Sequence, residues 1–154
     1  MKSRVNSGVN SLHAKQASLC PLSVDEIRKR LAPRLQDRNL QMVLLFGSAA
    51  SGRMHRESDI DLGFLFTAPV DILALTNDVV RLLHIDAVDV VDLKKTSPLL
   101  TFAAVRDGIL IYEREDGVFN QFYSLAFRRY VDTGKLRKAQ TEAVGIFLKK
   151  RGLA

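Results

Sequence analysis

A chain of 154 residues with 47% apolar content can bury one core and reads as a single domain. No apolar run approaches the roughly 20 residues of a membrane span, and residues 1–22 lack the apolar stretch of a secretory signal, so neither membrane insertion nor export is expected. The single cysteine, Cys20, excludes an internal disulfide and fits a reducing, cytoplasmic location. The net charge of +6 sits at the ends: residues 1–22 carry three basic and no acidic groups, and residues 128–154 carry eight basic against two acidic, leaving the middle at −3. A basic C-terminal stretch is either a docking surface for an acidic partner or an ordinary solvated helix face. No basic groove studded with aromatics accompanies it, so a nucleic-acid partner is not expected.

In chain order, residues 1–22, with their Ser, Asn and Lys, read as a tail outside the folded unit. Ser23-x-x-Glu26 is a capping-box pattern, and Val24, Ile27, Leu31 and Leu35 lie at helical spacing behind it. Pro33 is expected to kink or shorten that helix. Gln41–Phe46 is almost wholly apolar and ends at Gly47, the pattern of a buried strand, and Ser48–Gly52 has room for one helical turn. Asp59–Phe66 alternates, with Asp59, Asp61, Gly63 and Leu65 on one face and Ile60, Leu62, Phe64 and Phe66 on the other. Val70–Leu83, with Leu73, Val80 and Leu83 among many apolar positions, predicts a covering helix, and Val88–Leu93 a third strand. Ser97-Pro98 is an N-cap followed by a first-turn proline, opening a helix that ends near Gly108. Ile109–Glu113 then predicts a fourth strand, closed by Glu115-Asp116-Gly117. Phe119, Phe122, Ala126 and Tyr130 line one face of the next helix, which breaks at Thr133-Gly134 before a second amphipathic helix, Lys135–Lys150. The expected architecture is a small α/β sheet with a helical C-terminal arm, 23–131 forming the domain and 132–154 the basic helix.

The chemistry concentrates between Leu45 and Leu62. Asp59 and Asp61 project from the same face of one strand, where two carboxylates repel each other unless a cation lies between them. Mg²⁺ favours a site of one or two carboxylates completed by substrate phosphates. Just upstream, the Gly47-Ser48 turn offers backbone N–H groups and a hydroxyl to phosphate oxygens. A phosphoryl-transfer site of this kind needs more negative charge than two aspartates supply. Asp89, mid-strand among apolar neighbours where an unpaired carboxylate is costly to bury, is the preferred third member. Asp86 at the strand's start is the lesser alternative, and Asp92 near its end reads as a solvated residue or the cap of a turn.

Gly47-Ser48, ten residues, Asp59-x-Asp61, and Asp89 on a following strand together resemble the DNA polymerase β-like nucleotidyltransferase superfamily, and within it the minimal nucleotidyltransferases (MNT). The resemblance spans about residues 24–131 and includes Gly52, Ser58 before Asp59, Ser97-Pro98-Leu99-Leu100 and Asp107-Gly108-Ile109. It implies a mixed sheet flanked by helices, the polymerase β-like fold. It also implies an antitoxin that transfers AMP from ATP onto a tyrosine hydroxyl of a HEPN-domain ribonuclease toxin, with which it would form a hetero-oligomer. On that reading Gly47 and Ser48, with Ser58 and Arg53, hold the nucleotide. Asp59, Asp61 and Asp89 bind Mg²⁺, and Asp89 helps deprotonate the attacking hydroxyl. Many such proteins have an arginine directly after the Gly-Ser pair, whereas this chain has Ala49 and Ala50. Arg53, His55 and Arg56 are the candidates for that charge.

Two other functions compete. A non-catalytic antitoxin would mask its partner with the basic helical arm. A small-molecule nucleotidyltransferase, of the kind that modifies aminoglycosides, normally needs a second domain or a dimer to build its acceptor pocket, and 154 residues leave little room for one. Tyr112, Tyr123 and Tyr130 are most simply core or interface residues, and His13, His84 and Cys20 have no partner at catalytic or metal-ligand spacing.

Overall fold

The structure, a computed structural model, describes residues 22–51 and 59–153. Helix α1 (Val24–Leu35) begins as its capping box dictates: Ser23 is extended and its Oγ accepts the Glu26 N–H at 3.1 Å. Leu22, the last residue of the stretch read as a tail, is buried beside Ile27 in the same core, stapling the chain's entry into the helix. Pro33 is accommodated inside the helix, which stops two residues later at Leu35.

Four strands, β1 (Leu40–Phe46), β2 (Ile60–Phe66), β3 (Val88–Asp92) and β4 (Ile109–Glu113), form one sheet in the order β3-β2-β1-β4. β1 runs antiparallel to both β2 and β4, whereas β2 and β3 are parallel, so the sheet is mixed. The one-turn helix α2 (Ser48–Ser51) follows β1 directly, and α3 (Ile72–Leu83) makes the crossover that a parallel β2–β3 pair requires. Asp71 caps α3, its carboxylate accepting the Ala74 N–H, and the helix closes on His84 in the left-handed conformation.

Each face of the sheet is covered. Ile60, Leu62, Phe64 and Phe66 of β2 join Leu40, Val43 and Leu45 of β1 under α1 and α3. On the other face Met42, Leu44 and Phe46 meet α4 (Pro98–Asp107) and α5 (Val118–Asp132) through Phe102, Val105, Phe122 and Ala126. A register shift between Leu40 and Met42 lets the neighbouring strand residues serve opposite cores. The buried stripe of α3 is Leu75, Val79 and Leu83; Leu73, one of the apolar positions from which the covering helix was read, is 72% exposed because the i, i+4 row from Leu75 is the one aimed at the sheet. Arg28 and Arg114 tie the sheet edge inward, Arg28 Nε donating to the Ile111 carbonyl at 2.8 Å and Arg114 Nε to the Leu40 carbonyl at 2.7 Å.

Ser97 caps α4, with Pro98 in its first turn and Gly108 closing it. The predicted stripe on α5 is present: Phe122 and Ala126 are buried, while Phe119 and Tyr130 are half-buried. Helix α6 (Gly134–Lys150) follows after Thr133 and contains no buried residue. Among the described residues no helix is long and apolar enough to cross a membrane.

Candidate active site

The site lies where β1 ends and β2 and β3 begin, on the face shared with α4. Antiparallel register sets Phe46 opposite Asp61, and parallel register sets Asp61 beside Asp89. Asp61 is therefore flanked by the end of β1 on one side and by a second carboxylate on the other. Gly47 takes φ +70, a conformation that favours glycine, immediately after β1. A Cβ there would stand 2.0 Å from Asp61 Oδ2, so only a residue without a side chain lets the backbone approach that carboxylate. Ser48 then opens α2, and its position is half-buried.

Asp59 and Asp89 are exposed, while Asp61 is half-buried. Burial pushes the Asp61 carboxyl above its ordinary value of 3.8, and the charges of Asp89 and then Asp59 push it the same way. The charges of Asp89, on the neighbouring strand, and of Asp59, just ahead of β2, thus both bear on Asp61. Expecting Asp89 to be buried was incorrect. Asp89 faces the open cleft, and solvent reaches its carboxylate even though its neighbours Val88 and Val90 are buried. The buried carboxylate of this strand is Asp92, which does cap a turn: its Oδ1 accepts the Lys94 N–H at 3.0 Å. Asp86 is exposed and precedes the strand.

A cleft of about 1070 Å³ opens over this arrangement. Gly47, Ala50, Asp61, Asp89 and Val91 form its floor, and α4 supplies a wall from Leu100, Ala103, Ala104, Arg106 and Asp107. That volume suits a nucleotide-sized ligand. The α4 wall was not expected from the sequence, where Asp107-Gly108 was read as a helix end and as part of the family pattern, without a place in the site. Its one available signal was position: a helix that follows the third aspartate and feeds a strand beside β1 must cross the sheet near the carboxylates. Arg53, His55, Arg56 and Ser58 lie outside the described residues.

The donor set tests the fit of a cation. Among the described residues no three Asp, Glu, His or Cys side chains are close enough to form a self-sufficient metal site. What is present is a half-buried carboxylate whose ionisation is opposed by two others. A divalent cation relieves that repulsion, and Mg²⁺ is held by one or two carboxylates plus substrate phosphates rather than by an all-protein cage. The residues fit such an ion.

Mixed sheet, glycine turn and aspartate pair define a polymerase β-like nucleotidyltransferase fold. Residues 29–117 match the family described as polymerase beta, nucleotidyltransferase, and the chain belongs to that family. It is 27% identical over 126 residues to the protein adenylyltransferase MntA of Aphanizomenon flos-aquae, covering 74% of this chain and 84% of that protein. It is 35% identical over 85 residues to the protein adenylyltransferase MntA of Shewanella oneidensis, covering 52% of this chain and 60% of the relative. A chain in the crystal structure of a toxin–antitoxin with AMP-PNP superposes with a TM-score of 0.69 at 28% identity, covering 80% of this chain and 98% of the other. The resemblance to minimal nucleotidyltransferases read from the motif agrees with these relatives.

Proposed function

We propose that this nucleotidyltransferase is a protein adenylyltransferase that moves AMP from ATP onto a tyrosine hydroxyl of a HEPN-domain toxin and thereby acts as its antitoxin. The observation that carries the proposal is the register pairing of Asp61 with Asp89 beside the side-chain-free Gly47 turn, in one nucleotide-sized cleft. The family, the two adenylyltransferase relatives and the AMP-PNP-bound toxin–antitoxin neighbour support it. A reducing cytoplasm is the compartment in which such a pair would meet ATP.

In the reaction the tyrosine oxygen forms a bond to the α-phosphorus while the bond from that phosphorus to the bridging oxygen breaks. The bonding pair departs with pyrophosphate. The phenolic proton passes to a carboxylate, for which Asp89 is the candidate because its side chain is open to solvent beside Asp61. Asp59, Asp61 and Asp89 would hold Mg²⁺, which when bound supplies charge stabilisation to the attacking and leaving oxygens. Gly47 and Ser48, together with Arg53 and Ser58, would seat the triphosphate. Residues 23–131 would carry this chemistry and the basic helix of 132–154 would serve the partner.

The test is incubation with ATP, Mg²⁺ and the co-purified partner, followed by intact-mass measurement. A gain of one or more AMP masses on the partner is expected, lost in Asp59→Asn and Asp61→Asn. No gain on any partner would sink the adenylylation reading.

One observation favours a second reading, neutralisation by binding alone. On α6, Leu136, Ile146 and Phe147 are more than half exposed on a helix that also carries Lys135, Lys138, Lys149 and Lys150. Co-expression of the toxin with the triple variant Asp59→Asn/Asp61→Asn/Asp89→Asn separates the two, since only a masking antitoxin would still rescue growth.

A further inference from the structure

We infer that Arg106, on the last turn of α4, is a phosphate-neutralising cation of the cleft and compensates for the arginine absent at Ala49–Ala50. The inference rests on the nucleotide-transfer reading above and names a residue for it that the motif does not contain.

Among the described residues lining the cleft, Arg106 is the only cationic side chain, and it shares that cleft with Asp61, Asp89 and Asp107. A nucleoside triphosphate entering among carboxylates needs positive charge on the protein side, and an arginine fork matches phosphate oxygens in pairs. Arg106 is also held in place. Its Nε and Nη2 donate to the two carboxylate oxygens of Asp107 at 2.9 and 2.5 Å, and its guanidinium lies 5.8 Å from the centre of the Phe102 ring. Phe102 is itself buried and stacked on Tyr130 at 4.6 Å, so the aromatic support is fixed by the α4–α5 core. Just over half of the arginine side chain remains open to solvent, leaving N–H groups for an incoming anion. The plainer role, an ion pair at the end of a helix whose C-terminal dipole favours a cation, predicts no interest in phosphate.

The two roles differ in what they bind. AMP-PNP and AMP are titrated against the full-length wild-type protein, Arg106→Ala and Arg106→Lys in the presence of Mg²⁺, with thermal melts run alongside. Loss of charge-assisted hydrogen bonds to the triphosphate should weaken AMP-PNP by about 10- to 100-fold in Arg106→Ala. AMP binding should change by less than about threefold, and Arg106→Lys should recover part of the AMP-PNP affinity. Equal weakening of both nucleotides, or none, overturns the assignment. Wild-type protein that binds neither nucleotide counts instead against the nucleotidyl-transfer reading on which it rests.

Discussion

Gly47→Ala should separate the stability of this protein from its chemistry. The residue sits at φ +70, which costs an alanine about 1–2 kcal/mol. Its new Cβ would also lie 2.0 Å from Asp61 Oδ2 and 3.0 Å from Asp61 Cγ. The contact is with the far end of a side chain, so it can be relieved by swinging the carboxylate away rather than by moving a strand. The fold therefore loses only the backbone term, and Tm falls by about 2–8 °C. The carboxylate, however, has to retreat by at least about 1 Å, and a misplacement of that size costs about 100-fold in rate. Gly117→Ala is the control. Gly117 has φ +95 with nothing within 4 Å of the added methyl, so it should lose similar stability and keep full activity. Melting curves and AMP transfer measured by intact mass read the two effects. If Gly47→Ala transfers AMP at the wild-type rate, or Gly117→Ala loses activity equally, the close approach of Gly47 to Asp61 has no catalytic meaning.

Other consequences follow from the same contacts. Because burial, Asp89 and Asp59 raise the Asp61 pKa, its ionised form is disfavoured in the folded protein; the cost is present at neutral pH and disappears as pH falls below 3.8. Asp61→Asn should thus melt higher than wild type in EDTA at pH 7, with the difference closing near pH 4; a lower Tm at pH 7 would contradict the stated repulsion. Added Mg²⁺ should raise the wild-type Tm and leave that of Asp61→Asn nearly unchanged, which the same melts report. Gly108→Ala drives its Cβ to 2.2 Å from the Ala104 carbonyl and 3.0 Å from that of Leu45, both backbone atoms that cannot rotate away. A loss of about 3 kcal/mol is expected from urea unfolding. Phe102→Ala removes the ring that Tyr130, Tyr123 and Phe127 pack against and should cost about 3–5 kcal/mol by the same measurement.

The elements were legible in the residues alone, and so was the Asp59-x-Asp61 pattern, although β2 begins at Ile60 and leaves Asp59 just ahead of it. Ser23, Ser97 and Pro98 mark helix starts through local hydrogen bonds and a fixed φ, and Gly108 marks a helix end. These are effects of adjacent residues and need no tertiary context. Alternation likewise assigned Asp61 and Asp89 each to one face of its own strand. Alternation names a face, though, and never a neighbour. That β3 pairs in parallel with β2, bringing Asp89 beside Asp61, is set by the crossover through α3 and by which apolar faces can be buried together. Asp89 lies on the face of β3 that lines the open cleft while Asp92 lies on the opposite face and is enclosed, and only tertiary packing decided which of the two would be covered. Arg106 and Asp107 came to the cleft only when α4 was laid across the sheet end by its packing on β1 and α5. Local chemistry fixed what the residues could do; long-range burial decided which of them meet.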